Sequence, residues 1–273
     1  MAGAGGATAA IAVAMMIDMA HNGADIVSEL LGVSDYIVEK DPMKLHPTEL
    51  SLSESLALIW QDNKSGNVSG RLSDEQTQTL MVCAAMIDLL LCGRIVLGVK
   101  EKKLSFFSFG SGQSFYVLVK DKTPTGQDQL DYLLDYLSKK QDKLINAGKE
   151  GDLVLKIVFE KLVLGEMFGF DSNPKKTITL KTFESLARRK IVNEEKYKKF
   201  LFNFKRYPNV EGEEKRQIGV EASLSSLVDD NGLPMSVFPL ILLRLLSKRK
   251  KLLKVALGED VLKKQKDRIA LIS

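Results

Sequence analysis

The chain is poor in the side chains that bind metals or attack substrates: its 273 residues include two cysteines and two histidines. There is no Cys-x-x-Cys pair, so neither a zinc site nor a Cys/His catalytic pair is expected. Cys83 and Cys92 lie nine residues apart on what reads as one helix. At about 100° per residue they point to opposite sides, which excludes a bond between them or a shared metal there. This cysteine use fits a reducing compartment. Basic residues are missing from Met1 to Ile17. The apolar run Ala7 to Ile17 therefore lacks the cationic start of a secretion signal, and it is too short to span a bilayer. The glycine-rich stretch Gly110-Ser111-Gly112-Gln113 is followed by neither a helix start nor a Gly-Lys-Ser/Thr triplet, so it reads as a hairpin turn and not a phosphate cradle. The single tryptophan, Trp60, stands at the end of a predicted helix and reads as a core plug. A cytosolic protein, peripheral on a membrane at most, is expected.

What the sequence does have is a greasy helix. From Leu80 to Cys92 the only ionisable side chain besides the thiols is Asp88. A helix apolar on every side has no wet face and must be enclosed by other elements. Gly93 stands where a helix usually ends in a left-handed residue, and the β-branched Ile95, Val96 and Val99 read as a strand leaving it. Charge is unevenly spread. Lys175 to Arg268 holds 23 Lys and Arg against 12 Asp and Glu, whereas the rest of the chain holds 16 against 23. A basic back half points to a polyanion, either nucleic acid or an anionic cytosolic leaflet.

In chain order, residues 1–47 form an N-terminal extension with a small-residue tail and helical character over Ala7 to Leu31. Asp41-Pro42 and His46-Pro47 mark a linker. Thr48 to Ser51 starts a helix whose apolar face is Leu50, Leu52, Leu56 and Ile59, and Ser73-Asp74-Glu75 opens the central helix. Strands are expected over Arg94–Val99, Leu104–Phe109 and Ser114–Val119. Helices follow over Asp128–Lys140, with Leu130, Leu133, Leu134 and Leu137 inward, over Leu153–Leu164, and over Thr179–Arg189. A hairpin of Lys190–Val192 with Tyr197–Phe204, turning through Asn193-Glu194-Glu195, comes next. Val220–Val228 and a long helix Pro239–Leu257, interrupted by the cations Lys248 to Lys251, complete the back half. The fold class is mainly α: a single globular helical domain (48–260) around a buried central helix, with small β-hairpins and a basic tail over 261–273.

The spelling and order of these segments resemble the Golgi phosphoprotein 3 family. The residues that carry the likeness are Leu50-Ser51-Leu52-Ser53-Glu54, Met86-Ile87-Asp88-Leu89-Leu90-Leu91-Cys92-Gly93-Arg94-Ile95, and Pro124-Thr125-Gly126 with Leu130-Asp131. Leu186 to Val192, Phe200-Leu201-Phe202 and Pro208 complete it. The resemblance implies a non-enzymatic protein without a cofactor, on the cytosolic face of the Golgi with a cytosolic pool. It implies recognition of phosphatidylinositol 4-phosphate or acidic Golgi membrane, binding of glycosyltransferase cytosolic tails and of coatomer, and a capacity for homo-oligomers. Such a protein retains or sorts glycosyltransferases in vesicle traffic.

Carried onto this chain, the resemblance and the local charge place the headgroup site at Arg71, Lys175, Lys176 and Lys181. They place a membrane or self-association hairpin at Phe200, Leu201 and Phe202, which as strand residues could equally lie in the core. The chain departs from the family at these very points. Arg71-Leu72 stands where the family has a tryptophan, Val82 where it has an arginine, and the later arginines fall near Lys176 and Thr179. An ammonium cannot make the bidentate phosphate contact of a guanidinium. The N-terminal arginine cluster tied to coatomer is absent, which counts against that partner. Two other readings stand beside this one: a winged-helix-like nucleic-acid binder, and a soluble scaffold that has lost lipid binding. The first is suggested by helix-then-hairpin units with basic residues but opposed by Arg188-Arg189-Lys190, which stands at a helix end and not along a groove-reading face. Asp88, a lone buried acid, reads as structural and not as catalytic.

Overall fold

A computed structural model of the chain describes residues 50–61, 65–66, 75–101, 113–154, 157–158, 161–162, 173–199, 202–228, 237–247, 249–267 and 269. Eight helices and two small antiparallel sheets make up the described residues, and the fold is mainly α, as expected. The chain divides into two compact units that interleave in sequence. Within the described residues one is 85–178 and the other is 50–84 with 179–269. Two helices, α2 (Glu75–Leu91) and α4 (Pro174–Arg188), run through the boundaries.

Helix α2 is buried at every residue from Thr77 to Leu89, Asp88 included. Its sequence has no polar stripe to expose, so enclosure is the only stable arrangement. It ends as Gly93 dictates: Gly93 takes φ 70°, and the Arg94 N–H donates to the Leu89 carbonyl at 2.9 Å. That six-to-one bond satisfies a carbonyl left over at the helix end.

In the first unit, β1 (Ile95–Glu101), β2 (Gln113–Val119) and β3 (Leu153–Val154) form one sheet in that order. Ile95 pairs with Val119 and Glu101 with Gln113, and Val117 pairs with Leu153. Helix α3 (Asp128–Asn146) turns Leu130, Leu133, Leu134 and Leu137 inward, as their spacing predicted, and packs against β2. Gln141 ties the two together, accepting from the Val119 N–H at 2.8 Å and donating to its carbonyl at 3.3 Å. Before α3, the Asp131 carboxylate accepts from the Thr125 hydroxyl at 2.8 Å and from the Gly126 N–H at 3.2 Å. Gly126 sits at φ 82° in this turn. The Pro124-Thr125-Gly126 … Leu130-Asp131 pattern is thus a clamp on the start of α3.

In the second unit, α1 (Leu52–Trp60) begins with a reciprocal cap. The Ser51 N–H donates to Glu54 Oε2 at 3.1 Å and the Glu54 N–H to Ser51 Oγ at 3.3 Å, closing a capping box. Every residue of α1 is buried. It packs against α5 (Glu214–Val228), α6 (Val237–Ser247) and α7 (Lys250–Leu257), and α8 (Glu259–Lys264) follows α7. Trp60 is wholly buried beside Phe183, with ring centroids 6.3 Å apart, and Phe183 stacks on Tyr207 at 4.7 Å. The tryptophan is a core plug.

Four expectations are corrected. The second hairpin does not turn at Asn193–Glu195: β4 (Glu195–Lys199) pairs with β5 (Phe202–Arg206), Lys199 facing Phe202. Lys190 and Ile191 instead close α4, with Lys190 at φ 56° and the Ile191 N–H on the Leu186 carbonyl, and Val192 makes an isolated antiparallel bridge to Asn209 and not to β4. Leu153 and Val154 are strand, because sheet pairing to β2 claims their backbone before any helix starts. Gln113 belongs to β2 and not to a turn. The long last helix is two, α6 and α7, broken at the cations, since an unbroken helix would drive part of a four-cation run into its own apolar stripe. The Leu104–Phe109 strand, the Gly110–Gly112 turn, the Ser73-Asp74 helix start and the 1–47 extension lie outside the described residues.

Candidate membrane-facing site

Helix α4 carries three of the four lysine and arginine positions expected at a headgroup site. Pro174 is its first residue, where a missing N–H costs nothing. The Lys176 and Thr177 N–H groups both donate to the Asn173 carbonyl, at 3.0 and 3.1 Å. Its first turn holds no acid, so two lysines stand at the positive end of the helix dipole, where an anion is favoured. The three lysines do not converge. Lys175 is buried, at 5% exposure, Lys176 is exposed, and Lys181 is half-buried. At about 100° per residue, Lys176 lies about 100° from Lys175 around the helix, and Lys181 about 120° the other way. Arg71 lies outside the described residues. Lys176 is therefore the lysine of this set best placed to meet a ligand from solvent.

The β4–β5 hairpin, in the second unit, carries exposed cations of its own that sequence reasoning passed over. Lys196 and Lys198 are exposed and alternate with half-buried Glu195 and Tyr197, as the two-residue period of a strand requires. Opposite them, Lys205 pairs with Lys196 across the ladder and is neutralised by Glu194 at 3.1 Å and Glu184 at 3.7 Å. Arg206 is held by its cross-strand neighbour Glu195 at 2.6 Å and lies over the Tyr197 ring. Thus the base of the hairpin is tied by ion pairs while Lys196 and Lys198 face water. Phe200 and Leu201 lie outside the described residues; Phe202 is the first residue of β5.

At the basic end of α4 Arg188 and Lys190 are exposed, but Arg189 is committed elsewhere. Arg189 forms an ion pair with the wholly buried Glu54, whose other oxygen accepts from the Ser185 hydroxyl at 3.2 Å. That guanidinium serves the core and not a nucleic-acid groove. Burial pushes the Cys83 and Cys92 thiols above their ordinary range, opposite to what a nucleophile needs. Among the described residues no cluster of His, Cys, Asp and Glu could hold a metal ion.

The described surface thus carries an exposed lysine at the start of α4 and two on the β4–β5 hairpin of a mainly helical protein. Among the described residues no helix is long and apolar enough to cross a membrane. The sequence profile of the Golgi phosphoprotein 3 (GPP34) family matches residues 52–272. The chain belongs to that family, which is Golgi-associated and whose members are non-enzymatic adaptors. A comparison with curated proteins finds no match.

Proposed function

We propose that this chain is a peripheral adaptor of the cytosolic Golgi face. It binds acidic lipid, phosphatidylinositol 4-phosphate among others, and retains or sorts glycosyltransferases in vesicle traffic. The family match over residues 52–272 carries this reading. The surface chemistry supports it: exposed Lys176 at the positive end of α4, and exposed Lys196 and Lys198 on the hairpin. Each lysine near an anionic leaflet contributes about 1 kcal/mol. Because lysines stand in place of arginines, headgroup recognition rests on charge more than on bidentate geometry. Partners on this reading are the lipid surface, glycosyltransferase cytosolic tails and a second copy of the chain. No catalytic step is assigned.

Vesicle flotation tests the proposal. Neutral vesicles should leave the protein in solution, and vesicles with phosphatidylserine or phosphatidylinositol 4-phosphate should carry it, with less than a tenfold preference for the phosphoinositide. Failure to float with either acidic vesicle overturns it.

A further inference from the structure

Helix α7 breaks a local rule. Its N-cap, Arg249, makes no side-chain capping bond, its first two residues are Lys250 and Lys251, and its first turn holds no acid. Cations at that end oppose the helix dipole. A residue choice that works against its own element, with no compensation nearby, is where function is to be sought. Lys250 and Lys251 are exposed and have no ion-pair partner among the described residues. Arg249 is turned back to donate to Gln76 Oε1, leaving the two lysines as the outward charges.

The rest of α7 is cleanly two-sided. Leu252, Leu253, Ala256 and Leu257 are buried, while Lys250, Lys251, Lys254 and Val255 are exposed. Around the helix the exposed four fall within an arc of about 140°. Val255, at 45% exposure, is one of four large hydrophobic residues so open among the described residues. Beyond the helix, Lys263, Lys264 and Lys266 are exposed as well. Residues 250–266 hold six lysines against two acids, a surplus equal to the net charge of +4 of the whole chain. Glu259 takes up part of that surplus, 2.8 Å from Lys254 and 3.8 Å from Lys263.

We infer that the outer face of α7 lies on an anionic bilayer surface, a second contact distinct from the headgroup site at α4. A helix with a lysine-rich outer arc and an apolar side chain at its edge suits the interface of an acidic leaflet, where ammonium groups meet phosphates and Val255 reaches the acyl boundary. The chemistry is charge complementarity without headgroup stereospecificity, so it recognises phosphatidylserine as readily as a phosphoinositide. It rests on the peripheral-membrane reading above and gives that reading a place on the molecule.

The test compares the full chain with Lys250→Gln/Lys251→Gln/Lys254→Gln and with a charge-matched control, Lys120→Gln/Lys143→Gln/Lys149→Gln, whose lysines are exposed in the other unit. Binding is measured to vesicles of phosphatidylcholine with phosphatidylserine, and separately with phosphatidylinositol 4-phosphate, over a range of salt. The α7 variant should bind phosphatidylserine vesicles about a hundredfold more weakly than the unaltered chain, with a shallower salt dependence. The control should change less than threefold. Equal losses in both variants, or no loss in the α7 variant while the unaltered chain binds, overturn the α7 contact and leave the adaptor reading standing. If the unaltered chain binds neither vesicle, or binds DNA instead, both fall.

Discussion

Arg189, just past the end of α4, sets its guanidinium against the carboxylate of Glu54 near the start of α1. Glu54 has no exposed surface, whereas the Arg189 side chain is 21% exposed. The same carboxylate closes the cap of α1 and accepts from Ser185, so one acid joins a helix start to a helix end.

This asymmetry predicts unequal effects from the two halves of the pair. Arg189→Met leaves a carboxylate buried and without its cation, and should lower stability by about 3 kcal/mol, near the lower end for a broken buried pair. Glu54→Gln keeps a hydrogen-bonding side chain and leaves the arginine with a route to water, and should cost about half as much. Urea unfolding of both variants checks the order.

Lys190 holds the left-handed position that ends α4, at φ 56°. The same position is glycine at Gly93, and a side chain there costs about 1 kcal/mol. Lys190→Gly should therefore raise stability by about 0.5 to 1 kcal/mol, read as a higher urea midpoint with unchanged slope.

The Tyr207 hydroxyl is buried with no hydrogen-bond partner among the described residues. Burial, then the nearby Glu194 and Glu184, push its pKa above the ordinary value near 10. The folded state thus holds the phenolic proton more tightly than the unfolded chain does. By linkage the contribution is full below pH ~10 and is lost as pH rises above it. Tyr207→Phe keeps the stack on Phe183 and removes an unsatisfied hydroxyl. It should match or exceed the unaltered protein by up to about 1 kcal/mol at neutral pH and lose less stability between pH 9 and 11 (about one unit either side of the unfolded value). Thermal melts across that range decide it.

Lys250→Glu with Lys251→Glu places acids in the first turn of α7. The helix dipole should return about 0.5 kcal/mol for each exchange, so the variant melts higher while its vesicle binding falls. A lower melting temperature would mean that the lysines support the fold.

The segments that carry the family likeness are structural devices. Ser51 and Glu54 make a capping box, Asp131 clamps the turn at Thr125 and Gly126, and Gly93 ends the central helix. Such local devices can be read from sequence because each needs only a few neighbouring residue types. The proposed headgroup site was not legible in this way. Lys175, Lys176 and Lys181 are near one another in the chain, yet helical rotation sends them to different sides, and the cations of the hairpin and α7 gained meaning only from their exposure.

By itself the sequence determined the enclosed stretch of helix from Leu80 to Leu89, the inward face of α3 and the left-handed stop at Gly93. In each of these, hydrophobic pattern or backbone sterics left one stable outcome. Only the tertiary structure decided that Leu153 and Val154 join a sheet, that the second hairpin pairs Lys199 with Phe202, and that Arg189 serves Glu54. Those outcomes rest on partners distant in the chain, and the energy of a pairing between remote segments is not written in the local spelling of either one.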